Sequence, residues 1–232
     1  MKILAIESTA LVASVAIVDD FKTIAEFTTN HKKTHSQTLM PMLEQIVKLT
    51  DIDLNELDYI ACACGPGSFT GLRIGAATAK GLAHGLNKKI IPVPTLDALA
   101  YNAYEADKLI VPIMDARRNQ VYSAIYSTQN GFERISDYLA TDIEELLDKV
   151  LSFNNSAIFL GDGVPVFKDT ILNKSDSFSF AKANMNMQRA SSVAALAFDM
   201  TDKAVDCNEF EIMYLRKSQA EREYEEKKGL AL

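Results

Sequence analysis

Apolar residues in the first third of the chain alternate in short runs bounded by polar breaks. KILAIEST (2–9), LVASVAIVD (11–19) and FKTIAEFTT (21–29) predict three consecutive strands joined by tight turns. From 38 to 50 the period lengthens. Leu39, Leu43, Ile46 and Val47 mark one face of a helix, with Met40, Met42 and Leu49 elsewhere around it. Thr38 is the expected N-cap, because Pro41 is then tolerated in a first turn whose N–H groups have no helical partner. A polar connection (51–58) leads to YIACAC (59–64), a strand buried on both faces. A Gly/Pro turn, a helix of about four turns and the strand IIPVP (90–94) follow.

The pattern then starts again. After a helix over 95–106, LIVPIMD (109–115), QVYSAIYS (120–127) and FERISDYLA (132–140) predict three more strands. Thr141 is expected to cap a helix over 142–150. SAIFLGDG (156–163) reads as a strand with a sharp turn, and VFKDTILNK (166–174) as a short helix. Ser191 is expected to cap a strongly apolar helix reaching 205. Two halves with one element order predict an α/β protein of two lobes, each a mixed sheet flanked by helices, as in actin, Hsp70 and the sugar kinases. The division expected is 1–106, 107–216 and a charged tail, 217–232, read as solvated helix or disorder. The helix over 191–205 is expected to pack back on the first lobe.

Charge narrows the functions. A formal net charge of −7 makes the chain a poor ligand for nucleic acid by itself, so any role near RNA passes through a partner. No apolar run reaches the ~18 residues of a membrane span, and the opening run is too short and strand-like for a signal peptide. Cys62 and Cys64 share a strand face roughly 6.5 Å apart in poor disulfide geometry, and are read as small buried residues, with Cys207 an isolated thiol. Together these features place the protein in the reducing cytoplasm.

ACACGPGSFTGLRIGAATAKGLA (61–83) poses the central question, whether its turn cradles a phosphate or launches a helix toward another protein. The P-loop spacing fails: counted from Gly67, its second glycine is Leu72, followed by Arg73. G-x-G-x-x-G fails because Thr70 occupies the third glycine position, and Pro66 lacks an N–H for a phosphate. In the helix, Gly71, Gly75, Ala79 and Ala83 recur every four residues on one stripe; Ala77, Gly81 and Gly85 form another. Helical glycine costs roughly 0.5–1 kcal/mol, so a close backbone approach is expected to offset it. The expected partner surface joins this helix, through Leu72, Gly75, Ala76, Ala79 and Ala83, to Leu39, Met42, Leu43 and Ile46. The alternative is a helix covered on both sides by its own chain.

GPGSFTGLR, Gly65, Pro66, Gly67, Ser68, Phe69, Thr70, Gly71, Leu72 and Arg73, closely resembles the TsaB (YeaZ) family. ILAIEST, HSQTLMP, DARRNQVY, GDG at 161–163 and YLRKSQAE at 214–221 extend the resemblance over nearly the whole chain. Glu7 departs from the aspartate of many relatives, and Ile212 from the usual proline. The resemblance implies a non-catalytic scaffold that dimerises with the paralogue TsaD, joined by the ATPase TsaE, to form threonylcarbamoyladenosine at position 37 of tRNA. It implies self-association when alone, contact with tRNA only through partners, and no tightly bound cofactor; a site for ATP or ADP would lie at the complex interface. The paralogue's metal histidines correspond to Thr95 and Leu99, and its glycine-rich phosphate turn to Asp115, Ala116, Arg117 and Arg118.

Rival readings are an autonomous ATP-dependent phosphotransferase, which needs an intact phosphate cleft, and a metallopeptidase resting on His31 and His35. On a helix those two rings would share a face, but Lys32 and Lys33 repel a cation and no third ligand is near in sequence. A polar turn entering the first helix, with His35 serving backbone groups, is the preferred reading. Ser68 stands outside the G-x-S-x-G nucleophile elbow.

Overall fold

The computed structural model describes residues 1–31 and 34–216, so the charged tail and the lysines between His31 and Thr34 lie outside it. In the first lobe β1 (Lys2–Glu7), β2 (Ala13–Asp19) and β3 (Thr23–Thr29) form an antiparallel meander, and β4 (Tyr59–Gly65) and β5 (Lys89–Pro94) join parallel, in the order β3-β2-β1-β4-β5. The parallel strands are buried on both faces, hence their unbroken apolar sequences. α1 (His35–Thr50) and α2 (Phe69–Leu86) cover one face.

The second lobe is ordered β10-β7-β6-β11-β12, from β6 (Leu109–Asp115), β7 (Gln120–Ser123), β10 (Leu139–Asp142), β11 (Ala157–Leu160) and β12 (Phe178–Phe180). β8 (Tyr126–Ser127) pairs with β6 and with β9 (Glu133–Arg134). α4 (Ile143–Leu151) and α5 (Val164–Lys174) cover one face.

The remaining faces are covered crosswise. α3 (Thr95–Tyr101), which follows the first lobe's last strand, packs Leu96, Leu99 and Ala100 with Ile110 and Leu160 of the second sheet. α6 (Ala190–Phe198), from the second half, packs Val193, Ala194 and Ala197 on β1, β2 and β4 of the first. Each sheet is thus sealed by a helix from the other half of the sequence, so the lobes share their cores. A cut at residue 106 leaves both incomplete.

Several local expectations change. α1 begins at His35 with Thr34 as N-cap, not at Thr38; buried Thr38 turns its hydroxyl back to the Thr34 and His35 carbonyls. Pro41 therefore lies inside the helix, denying the Gln37 carbonyl its partner on an exposed face. α3 is shorter than 95–106, and 132–140 divides between the short strands β9 and β10. Asp142 rather than Thr141 caps α4, its carboxylate accepting from the Glu144 N–H. α6 ends at Phe198, well short of 205, and Ser191 lies within its first turn, not at its cap. The amides there find partners on the first lobe instead: Ala190 N–H donates to Ser14 Oγ (3.0 Å) and Ser191 N–H to Glu26 (3.0 Å). Among the described residues no helix is long and apolar enough to cross a membrane.

Candidate functional site

The GPGS turn connects β4 to α2 through close backbone contacts. Gly65 has φ +121°, a region that favours glycine, and a methyl there would overlap the Met213 carbonyl. Its N–H donates to Thr95 Oγ1 (3.1 Å). A methyl on Gly67 would overlap the Thr9 carbonyl, which also accepts from Ser68 N–H (2.6 Å). Ser68 caps α2, its Oγ accepting from Gly71 N–H. These glycines admit the chain's own backbone. On α2's outer first turn, Arg73 lies 3.9 Å above the Phe69 ring and donates Nε–H to the Tyr214 hydroxyl, while Phe69 and Tyr214 pack at 5.3 Å. Thr70 beside them is exposed.

The inward stripe of α2 follows the same rule, and the expected partner surface needs correction. Leu39, Leu43, Ile46, Leu72, Gly75, Ala76, Ala79 and Ala83 are all buried in this chain, and Met42 is half-buried against the same core. Methyl groups on Gly71 and Gly75 would overlap the carbonyl and hydroxyl of Ser8, whose Oγ–H donates to the Gly71 carbonyl (2.9 Å). The close approach thus belongs to the turn after β1 and excludes a partner from that stripe. Both stripes are visible in the sequence, but only the fold shows which one turns inward. The outward one is Ala77, Gly81 and Gly85, all exposed, and added methyls on the two glycines would meet nothing within 4 Å among the described residues. On α1, Met40 and Leu49 are exposed, along with Pro41, Glu44 and Lys48.

Between the lobes lies a cleft of about 570 Å³, lined by Thr9, Gly67 and Phe69 on one side and Asp115, Arg117 and Asp162 on the other. Residues 213–216 complete its wall. Deep at this junction Glu7, 1% exposed, accepts from the Thr9 N–H and hydroxyl, both at 2.6 Å, through Oε1; its Oε2 has no partner. Burial, with a smaller contribution from Asp162, pushes its pKa up to about 7. Asp162 is pushed up to about 6, first by burial and then by Asp115. The sequence marks Glu7 only as a departure from relatives. Its juxtaposition with Asp162, 155 residues away, depends on the two-lobed fold.

Thr95 and Leu99, where the sequence resemblance implies that metal histidines are replaced, serve the chain's own packing. Thr95 is fully buried and bonded to Gly65, and Leu99 lies in the second lobe's core. The turn after β6 carries side chains throughout, and Arg117, Arg118 and Asn119 all have positive φ (+63°, +56°, +61°). His31 and His35 do not share a helix, because α1 begins at His35; His35 Nε2 bonds the Ala10 carbonyl at 2.8 Å. Among the described residues no group of three His, Cys, Asp or Glu is arranged to hold a metal. Cys62 and Cys64 lie in one core, as small apolar residues would, and burial pushes the Cys64 thiol up to about 12.

Two mixed sheets, helices exchanged between them and a cleft at the join define a two-lobed α/β protein. The family model described as TsaD, tRNA N6-adenosine threonylcarbamoyltransferase, matches residues 22–224. The tRNA threonylcarbamoyladenosine biosynthesis protein TsaB of Bacillus subtilis (strain 168) is 33% identical over 226 residues, 97% of this chain and 98% of its own. Its Escherichia coli (strain K12) namesake is 29% identical, over 95% of this chain and 96% of its own. YeaZ from Pseudomonas aeruginosa superposes with a TM-score of 0.75 at 21% identity, covering 92% of this chain and 99% of that one. A second solved structure, described as similar to peptidase YeaZ from Pseudomonas aeruginosa, gives 0.79 at 23%, covering 93% and 99%. The chain belongs to the TsaB (YeaZ) family.

Proposed function

We propose that this chain takes part in forming N6-threonylcarbamoyladenosine at position 37 of tRNA, as a non-catalytic subunit that docks on TsaD. The observation that carries the reading is the outward stripe of α2. Ala77, Gly81 and Gly85 stand exposed where larger side chains would fit freely, so among the described residues nothing offsets the cost of two helical glycines. A second helix laid on this stripe would offset it through close backbone packing, with Met40 and Leu49 of α1 adding apolar surface. The same face serves self-association when TsaD is absent.

The non-catalytic half of the reading is supported by Thr95 and Leu99, whose side chains are committed to structure, and by the turn at 115–119, where side chains replace bare backbone. The reading includes TsaE as a further partner, a cytoplasmic location and contact with tRNA through the complex. The net charge of −7 fits that indirect contact.

Gly81→Arg tests the face. It adds a long cation to an exposed helix position and improves intrinsic helix propensity by up to ~1 kcal/mol, so the variant folds. Sedimentation with purified TsaD should show a heterodimer for the wild type and separate species for Gly81→Arg. A variant that pairs as well as wild type refutes the assignment of this face.

A further inference from the structure

Residues 213–216 cross from one lobe to the other and touch both. On the first lobe Met213 N–H donates to the Cys64 carbonyl (2.8 Å), and the Met213 carbonyl lies against Gly65 in the space a side chain would fill. Tyr214 then lies on Phe69 and accepts from Arg73, both on α2. On the second lobe Arg216 donates from its guanidinium to the Ala116 carbonyl (3.0 Å). All four residues line the cleft.

The Arg216 contact falls on an unusual turn. Arg117, Arg118 and Asn119 are three consecutive side-chain-bearing residues in the left-handed region, which L-residues occupy at a cost and rarely in succession. Local bonds help to hold the turn: Arg117 N–H to the Asp115 carboxylate (2.8 Å), Ala116 N–H to the Gln120 carbonyl (2.9 Å) and Gln120 N–H to the Arg117 carbonyl (3.1 Å). Arg216 adds the tie from outside the lobe.

We propose that residues 213–216 form a strap that latches the lobes across the cleft, with Arg216 holding the turn between β6 and β7 in its left-handed form. The two observations are independent, since the strain belongs to the turn and the tie to a segment about 100 residues away. Strained backbone persists where its surroundings over-determine it, and releasing one constraint gives such a turn a second arrangement. The strap is anchored on the β4–α2 connection and on the first turn of α2. Whatever displaces that turn of the helix therefore loosens the second lobe's turn. This device stands whether or not the exposed face of α2 binds TsaD.

Hydrogen exchange on the full chain tests it, comparing wild type, Arg216→Ala and Arg216→Lys, the last keeping a donor for the carbonyl. In Arg216→Ala the amides of Ala116, Arg117 and Gln120 should exchange at least tenfold faster, those of β1 and β4 should be unchanged, and Arg216→Lys should fall between. Exchange within twofold of wild type at those three amides overturns the proposal. Uniform acceleration across the whole chain does so too, since it would make Arg216 a contact of global stability.

Discussion

Glu7 is a carboxylate in a place that disfavours its charge, and its effect on stability has a definite sign. Its folded pKa, near 7, lies above the usual value of 4.5, so between those values the folded state binds more protons than the unfolded chain. Stability attributable to Glu7 is therefore fully present below about pH 4.5, declines as pH rises toward 7 and is level above. The span is on the order of 3 kcal/mol, and Asp162 acts in the same sense. Glu7→Gln should remove most of this decline, so that urea unfolding finds the variant more stable than wild type at pH 8 and close to it at pH 4.5. A difference independent of pH would show that Glu7 is not titrating. At the neighbouring scale of packing, Ala79→Arg should destabilise by about 4 kcal/mol or more, because it forces a cation into the core under α2. Gly81→Arg, half a turn further on, should leave the melting temperature within a few degrees of wild type. If the two variants melt alike, the assignment of inward and outward stripes is wrong.

Among the elements, α6 shows how far a local reading reaches. Its apolar run and approximate start are plain in the sequence, yet Ser191 does not cap it. The first-turn amides are satisfied by Ser14 on β2 and Glu26 on β3, residues more than 160 positions away. Burial alone would raise the Glu26 pKa, but Arg189 and the hydroxyl and N–H of Ser191 outweigh it and hold the carboxylate below its usual range. Glu26→Ala removes the cap and leaves Arg189 unpaired at the seam. It should cost about 2–4 kcal/mol in equilibrium unfolding, with the loss shrinking in acid as wild-type Glu26 itself protonates. A loss below ~1 kcal/mol would mean that α6 is held by its apolar face alone. The start of α1 follows a related rule. Pro41 favours a late start, but burial of Leu39, Leu43 and Ile46 outweighs one missing helical bond. The short strands β9 and β12 carry too few residues for a period to be counted.

For the molecule as a whole, the two-lobed architecture was legible because the element order repeats, and the family because GPGSFTGLR is so specific. The exchange of covering helices was not fully legible: α6 packing on the first lobe was expected, but nothing in 95–106 shows that Leu96 and Leu99 face the second sheet. The approach of Glu7 to Asp162 and the tie from Arg216 to Ala116 were hidden for the same reason, since each joins residues distant in sequence. The sequence misplaces the partner surface: the stripe through Gly75, Ala79 and Ala83 is buried in the chain's own core, and the proposed face is the outward stripe instead. On the proposed reading, a subunit docked through this stripe favours an active state of TsaD only through its differential affinity for that state. The most direct measurement is modification of adenosine 37 in a mixture of purified TsaD, TsaE, ATP, threonylcarbamoyl-adenylate and tRNA, with this chain added, omitted or replaced by Gly81→Arg. Modification should require the wild-type chain and fail with Gly81→Arg. Modification with TsaD left out, or equally fast without this chain, would contradict the account.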